Sequence, residues 1–124
     1  MIQSRGFFVA ADSPDEKWSG VVEDDGETAY FYLQLHGRGV QDSILLYHSN
    51  TVSVSKCDVE INWTTDSTKC GVAILGVYRA IFDLKSSQKL SRAMGSWQAE
   101  GIQSKDWLLG LPKPTGMPRR QDIC

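Results

Sequence analysis

Residues 57–84 read CDVEINWTTDSTKCGVAILGVYRAIFDL, and the fold class turns on them. Cys57, Val59, Ile61 and Trp63 alternate with Asp58, Glu60 and Asn62, a period of two that gives a strand one apolar face. Thr65-Asp66-Ser67-Thr68-Lys69 supplies turn chemistry, and Val72-Ala73-Ile74-Leu75 then runs apolar on both faces as far as Gly76. This pattern predicts a hairpin leading into a central strand. The next eight-residue stretch places Tyr78, Ala80, Phe82 and Leu84 on one face and Arg79 and Asp83 on the other, which predicts a third, antiparallel strand. A turn centred on Asp66 and Ser67 sets Cys70 opposite Trp63 or Thr64. Cys57 is then about six residues, on the order of 20 Å, from Cys70, too far for a disulfide between them.

Upstream, residues 18–23 and 28–35 are rich in β-branched and aromatic side chains, and Asp24-Asp25-Gly26 between them offers the left-handed residues of a tight hairpin. Phe7-Phe8-Val9-Ala10 and Ile44-Leu45-Leu46-Tyr47 are shorter runs of strand length, the second following Gly37-Arg38-Gly39. About seven short strands favour a mainly β fold, an antiparallel sandwich or strongly bent sheet, with one short helix expected near residues 90–97. From Gly101 the chain is broken by Pro112, Pro114 and Pro118, and only Asp106-Trp107-Leu108-Leu109 offers a turn of helix. The sequence therefore divides into a single β domain over residues 1–100 and an irregular, basic tail over 101–124.

A chain of 124 residues supports one core. A domain of this size buries roughly two-thirds of its unfolded surface and needs no metal or disulfide staple to fold. Its apolar fraction of 41% and charged fraction of 23% are those of a packed protein. A net charge of −2 lacks the basic footprint of nucleic-acid binding. No apolar run reaches the roughly 18 residues of a membrane span, and the first residues lack a signal peptide's apolar centre, so a cytoplasmic protein is expected. Cys57, Cys70 and Cys124 show no CxxC or histidine spacing, which predicts reduced thiols and no zinc.

Three segments carry a resemblance: Glu23-Asp24-Asp25-Gly26-Glu27-Thr28-Ala29-Tyr30-Phe31-Tyr32, Val59-Glu60-Ile61-Asn62-Trp63 and Gly76-Val77-Tyr78-Arg79-Ala80-Ile81-Phe82-Asp83. Over about residues 5 to 85 the chain resembles a family of small uncharacterised bacterial proteins. Their pattern is an acidic turn entering an aromatic strand, then a tryptophan strand, then a strand ending in Phe-Asp. The resemblance implies a bacterial, cytosolic protein and transfers no activity and no catalytic residue. Beyond Ser87 the chain departs from the pattern.

Glu23, Asp24, Asp25 and Glu27 place four carboxylates within five residues, enough oxygen for a hard cation such as calcium or magnesium if the turn folds them inward. The spacing is not that of an EF-hand, and a solvated hairpin turn with Gly26 left-handed explains it as well. Asp24 and Asp25 form a possible acid–base pair only if buried. Tyr30, Tyr32 and Tyr47 are candidates for the outer face of a sheet, with Phe31, Leu33 and Leu35 packing the core beneath. His36 and His48 stand in no metal or catalytic spacing, and a Cys-His nucleophile from Cys57 or Cys70 would need a tertiary coincidence.

Charge is segregated. Residues 12–27 hold seven acids and one base, whereas residues 85–120 hold seven bases and two acids, so a charged partner can be steered or the tail can dock on its own domain. With no catalytic spacing and no cofactor motif, the reading is a non-catalytic module that binds a protein partner, as toxin-neutralising proteins do. Glu23, Asp24, Asp25, Glu27, Tyr30 and Tyr32 are its candidate contacts. The alternative is a small ligand or divalent cation held by the turn at residues 23–27, and a hydrolytic enzyme comes third. Neither nucleic acid nor membrane is an expected partner, and an unpaired edge strand offers a route to a homodimer.

Overall fold

The computed structural model describes residues 6–50, 52–92 and 101–115. Its eight strands form two antiparallel sheets of four, each a simple meander in which every strand pairs with the next in sequence. The first sheet holds β1 (Phe7–Asp12), β2 (Trp18–Asp24), β3 (Thr28–Leu35) and β4 (Gly39–His48). The second holds β5 (Val59–Trp63), β6 (Lys69–Ile74), β7 (Val77–Asp83) and β8 (Gln88–Ser91). A 3-10 turn at Lys56–Asp58 precedes β5, and one turn of helix, α1 (Lys105–Leu108), follows the sheets. Among the described residues no helix is long and apolar enough to cross a membrane.

The hairpin read from residues 57–84 forms with Trp63 opposite Cys70. Its turn is held by side chains whose oxygens substitute for a missing ladder. Thr64 Oγ1 accepts from the backbone N–H groups of Thr68 and Lys69 at 3.1 and 3.0 Å. Asp66 Oδ1 accepts from both threonine hydroxyls at 2.7 Å, and bonds from Thr68 and Thr64 hold its carboxyl down at about 2. β6 is central and buried from Cys70 to Ile74, as its apolar run requires.

Three expectations are corrected. Leu90 lies in β8 and not in a helix, because residues 88–91 pair with β7 as an eighth strand; residues 93–97 of that expected helix lie outside the described residues. Cys57 sits in the 3-10 turn rather than on the strand, and it is disulfide-bonded, against the expectation of reduced thiols throughout. Cys70 is free and buried, so the two do not bridge each other, and burial pushes its thiol up. Tyr78 faces away from Ala80 and Phe82. The register slips between Val72 and Ala73, where Tyr78 and Arg79 together occupy one step of the partner strand. Such a bulge moves the flanking residue to the other face.

The core lies between the sheets. Phe31 and Phe82 meet across it with ring centroids 4.8 Å apart, and the Trp63 indole donates to the Ala11 carbonyl at 2.9 Å. Gly20 of β2 allows this approach: a Cβ there would lie 2.5 Å from Cys70 Sγ and 3.0 Å from Ile61 Cγ2.

A second, smaller cluster covers the outer face of the second sheet. Ala73, Tyr78 and Ile81 receive Ile102, Trp107, Leu108 and Leu111 from the chain after the strands. The Ile102 N–H donates to the Tyr78 carbonyl, and the Tyr78 hydroxyl donates to the Pro112 carbonyl at 2.6 Å. Lys69 Nζ donates to the carbonyls of Asp106 and Leu109, capping the end of α1. Residues 101–115 thus form a strap on the sheet, joined by apolar contacts and backbone carbonyls.

Gly20→Ala is expected to cost about 1–3 kcal/mol through overpacking at Cys70, read as a lower denaturant midpoint with an unchanged slope. An unchanged midpoint would show that Cys70 gives way freely. Burial pushes the Tyr78 hydroxyl up to about 12. The neutral phenol is the form the fold favours, so its contribution is complete below its ordinary value of 10.0 and is lost as pH rises from there to about 12. Tyr78→Phe should abolish an alkaline step in tryptophan fluorescence over that window; persistence of the step would assign it elsewhere.

Candidate functional site

The hairpin at residues 24–28 separates the carboxylates that its sequence brings together. Strand alternation fixes their directions: Glu23 faces outward, Asp24 faces inward and is buried, and Asp25 and Glu27 project from the turn. Gly26 takes the left-handed conformation at φ 95° that this turn needs. Asp25 Oδ1 accepts from the N–H groups of Thr28 and Glu27 at 2.9 Å each, which holds its carboxyl below the usual range.

Asp24 is the polar centre of this end of the sandwich. Its Oδ2 accepts from the Tyr47 hydroxyl at 2.7 Å, and its Oδ1 accepts from the Gly26 N–H at 2.8 Å and from Ser49 Oγ at 3.3 Å. Burial, then the bond to Asp24, pushes the Tyr47 hydroxyl well up. Tyr47 is therefore not on the outer face beside Tyr30 and Tyr32. The register slips between Ala29 and Tyr30, so that β4 gives both Leu46 and Tyr47 to the core. A polar cavity of about 650 Å³ opens outside the turn, lined by Glu27, Thr28, His48 and Ser49 among others. Among the described residues, no three His, Cys, Asp or Glu side chains come together in a way that could hold a metal ion.

The outer face of the first sheet gathers the other candidates. Phe8, Glu23, Tyr30 and Leu45 stand opposite one another across β1 to β4. Ala10, Val21, Tyr32 and Ser43 form the next row. Phe8 is 58% exposed, Leu45 45% and Tyr30 36%, while Val21 is only 2% exposed beneath its larger neighbours. Tyr30 and Tyr32 stack with centroids 5.9 Å apart. Burial first, then the neighbouring Glu23, Tyr30 and Asp25, push the Tyr32 hydroxyl up. Phe8 and Leu45 were not singled out in the sequence. Their signal is the cross-strand register, which no single strand's pattern contains.

A further cluster joins residues far apart in sequence. Ser19 Oγ donates to Asp12 Oδ1 at 2.5 Å and lies 2.7 Å from His36 Nε2, while His36 Nδ1 donates to the Glu16 carbonyl. A Ser-His-Asp trio invites a nucleophile reading. Here the serine is buried and bonded to both partners within the fold, so the trio ties β1, β2 and the turn after β3 together.

Residues 1–107 match the model of a family described as "Uncharacterized protein conserved in bacteria (DUF2251)", and the chain belongs to that family. The match runs past Ser87 and takes in β8 and most of α1. No curated protein and no solved structure matches the chain.

Tyr47→Phe removes a bond to a buried carboxylate and is expected to cost about 1.5–3 kcal/mol. Chemical denaturation measures this, and a loss of only a few tenths would mean that Ser49 and the Gly26 N–H satisfy Asp24 alone.

Proposed function

We propose that this member of the family is a non-catalytic protein-binding module that works through the outer face of its first sheet. One contrast carries the reading. The outer face of the second sheet is covered by residues 101–115, whereas the first presents Phe8, Tyr30 and Leu45 in one row with Glu23 among them. Apolar and aromatic groups gathered on a sheet face, with charge beside them, are the composition of a contact surface.

The charge selects the partner's chemistry. Glu23 and Asp25 impose their field on Tyr32, and Tyr30 offers an exposed ring face. Such a surface suits a protein segment with aliphatic side chains interspersed with lysine or arginine, which gain cation–π and carboxylate contacts together. A toxin-neutralising role is one setting in which a small acidic module meets a basic partner. A second reading, a small polar ligand at the turn, is favoured by the cavity beside Glu27 and His48.

Amide NMR titration with an alternating Lys-Leu peptide tests the first reading, with a Glu-Leu peptide of equal length as control. Saturable shifts at Phe8, Glu23, Tyr30 and Leu45 are expected from the basic peptide alone, weakened about tenfold by Glu23→Lys. Equal binding of the acidic peptide, or shifts confined to residues 26–28 and 48–50, would overturn it, the latter in favour of the turn.

A further inference from the structure

The chain that leaves β4 folds back against the acidic turn and borders a second, inner cavity there. The Ser49 N–H donates to the Glu27 carbonyl at 2.7 Å and the Val52 N–H to the His48 carbonyl at 3.4 Å, while Val52 is buried in the core and Val54 packs against it. Between this segment and the hairpin lies a space of about 240 Å³, lined by Asp24, Gly26, Ser49, Val52, Ser53 and Val54. It is smaller than the sites that hold drug-sized ligands and suits a compound of a few heavy atoms.

The strand register turns the acid of this cavity inward. Asp24 stands opposite Phe7 on one side and Ala29 on the other, and Ala29 stands opposite Tyr47. Ala29 and Tyr47 belong to the core and Phe7 packs against it, so Asp24 shares their inner face and is only 6% exposed. Both of its oxygens are acceptors, and their donors, the Tyr47 hydroxyl, the Gly26 N–H and the Ser49 hydroxyl, are all neutral. A carboxylate has about four acceptor positions, so these donors orient Asp24, leave one position open and do not cancel its charge. No lysine, arginine or histidine lines the cavity, and the ion pairs between described residues are Asp12 with His36 and Asp42 with Lys89. The opposite end of the sandwich shows the contrast: a cavity of about 310 Å³ there is walled by Trp18, Leu33, Phe82 and Leu84, and its inward acid, Asp42, meets Lys89 Nζ at 2.7 Å.

We propose that the inner cavity binds a small primary alkylammonium compound, its N–H groups directed at Asp24 and its short alkyl body against Val52 and Val54. Buried charge is ordinarily paired, and a cation seated here completes the pair that the fold leaves open. The serine hydroxyls of the lining take the remaining N–H groups, so a cation without N–H donors gains the Coulomb attraction but not the hydrogen bonds. The valine walls favour an alkyl body, because burying it removes apolar surface from water on both sides. This cavity lies inside the turn, whereas the one beside Glu27 and His48 lies outside it, and Gly26 and Ser49 border both. The aromatic face of the first sheet takes no part, so the site stands or falls independently of the protein-binding reading.

Three probes of matched heavy-atom content test it on the intact chain: n-butylammonium, 1-butanol and tetramethylammonium. Amide NMR titration should show saturable shifts at Ser49, Val52, Ser53 and Val54 with butylammonium in the millimolar range. Butanol, which lacks the charge, and tetramethylammonium, which lacks the N–H groups, should each bind about tenfold more weakly. Asp24→Asn keeps one side-chain oxygen for the Gly26 and Ser49 donors while removing the charge, and it should erase the preference for butylammonium over butanol. The probe series on the unaltered protein decides the matter even if that variant folds poorly. Equal affinity for the three probes would remove the role of Asp24. Shifts confined to Glu27, Thr28 and His48, or no saturable shift at Val52 to Val54, would overturn the site.

Discussion

The two sheets approach closely where one side chain is missing. Position 20 must be a glycine because Cys70 Sγ and Ile61 of the other sheet already occupy the space a Cβ would take. Contact at this point brings Phe31 onto Phe82 and the Trp63 indole onto the Ala11 carbonyl, and the buried residues of both sheets then merge into one cluster. Dispersion between close-packed side chains falls off within an ångström, so a core assembled around such a seam depends on its spacing. Away from the seam, the natural twist of stacked sheets carries the strand ends apart. That divergence leaves room at both ends, for the Asp24 network at one and the Trp18 cavity at the other.

The two outer faces have opposite fates, and the backbone decides which is which. The bulge at Arg79 turns Tyr78 outward, where its ring joins Ala73 and Ile81 and its hydroxyl meets Pro112. Without that slip, Tyr78 would face the core and the strap at 101–115 would lose its central contact. On the first sheet, the bulge in β4 works in the reverse sense by drawing Tyr47 inward to Asp24. Tyr30 and Tyr32 remain outside, and no described segment lies over them as 101–115 lies over the second sheet. The basic residues of 101–115 do not meet the acidic turn: the ion pairs between described residues are Asp12 with His36 and Asp42 with Lys89.

Local pattern was legible in the sequence wherever one strand's alternation or one turn's chemistry decides the structure. The Trp63–Cys70 register, the central position of β6 and the hairpin at Gly26 follow from residues close together in the chain. Tyr47 and Tyr78 were misplaced for one reason, because a bulge reverses the inside–outside parity and leaves no mark in composition. β8 was missed, and its last two residues were read into a helix around 90–97, because Gln88-Lys89-Leu90-Ser91 has no β-branched residue and is ordered by pairing with β7. Of the candidate contacts, Glu23, Tyr30 and Tyr32 do share a face, whereas Asp24 is taken into a buried network that adjacency in sequence could not reveal.

One strand joins the two ends of the sandwich. β2 begins at Trp18 and ends at Asp24, so the cavity and the acidic turn lie about 20 Å apart along it at the rise of an extended chain. At that distance salt screens the charge of the acidic turn from the Asp42–Lys89 pair at the far end. Between the two ends lie Gly20, where a Cβ would crowd Cys70 of the second sheet, and Val22, which belongs to the shared core. A seam this close has no slack to absorb a change in sheet spacing at one end.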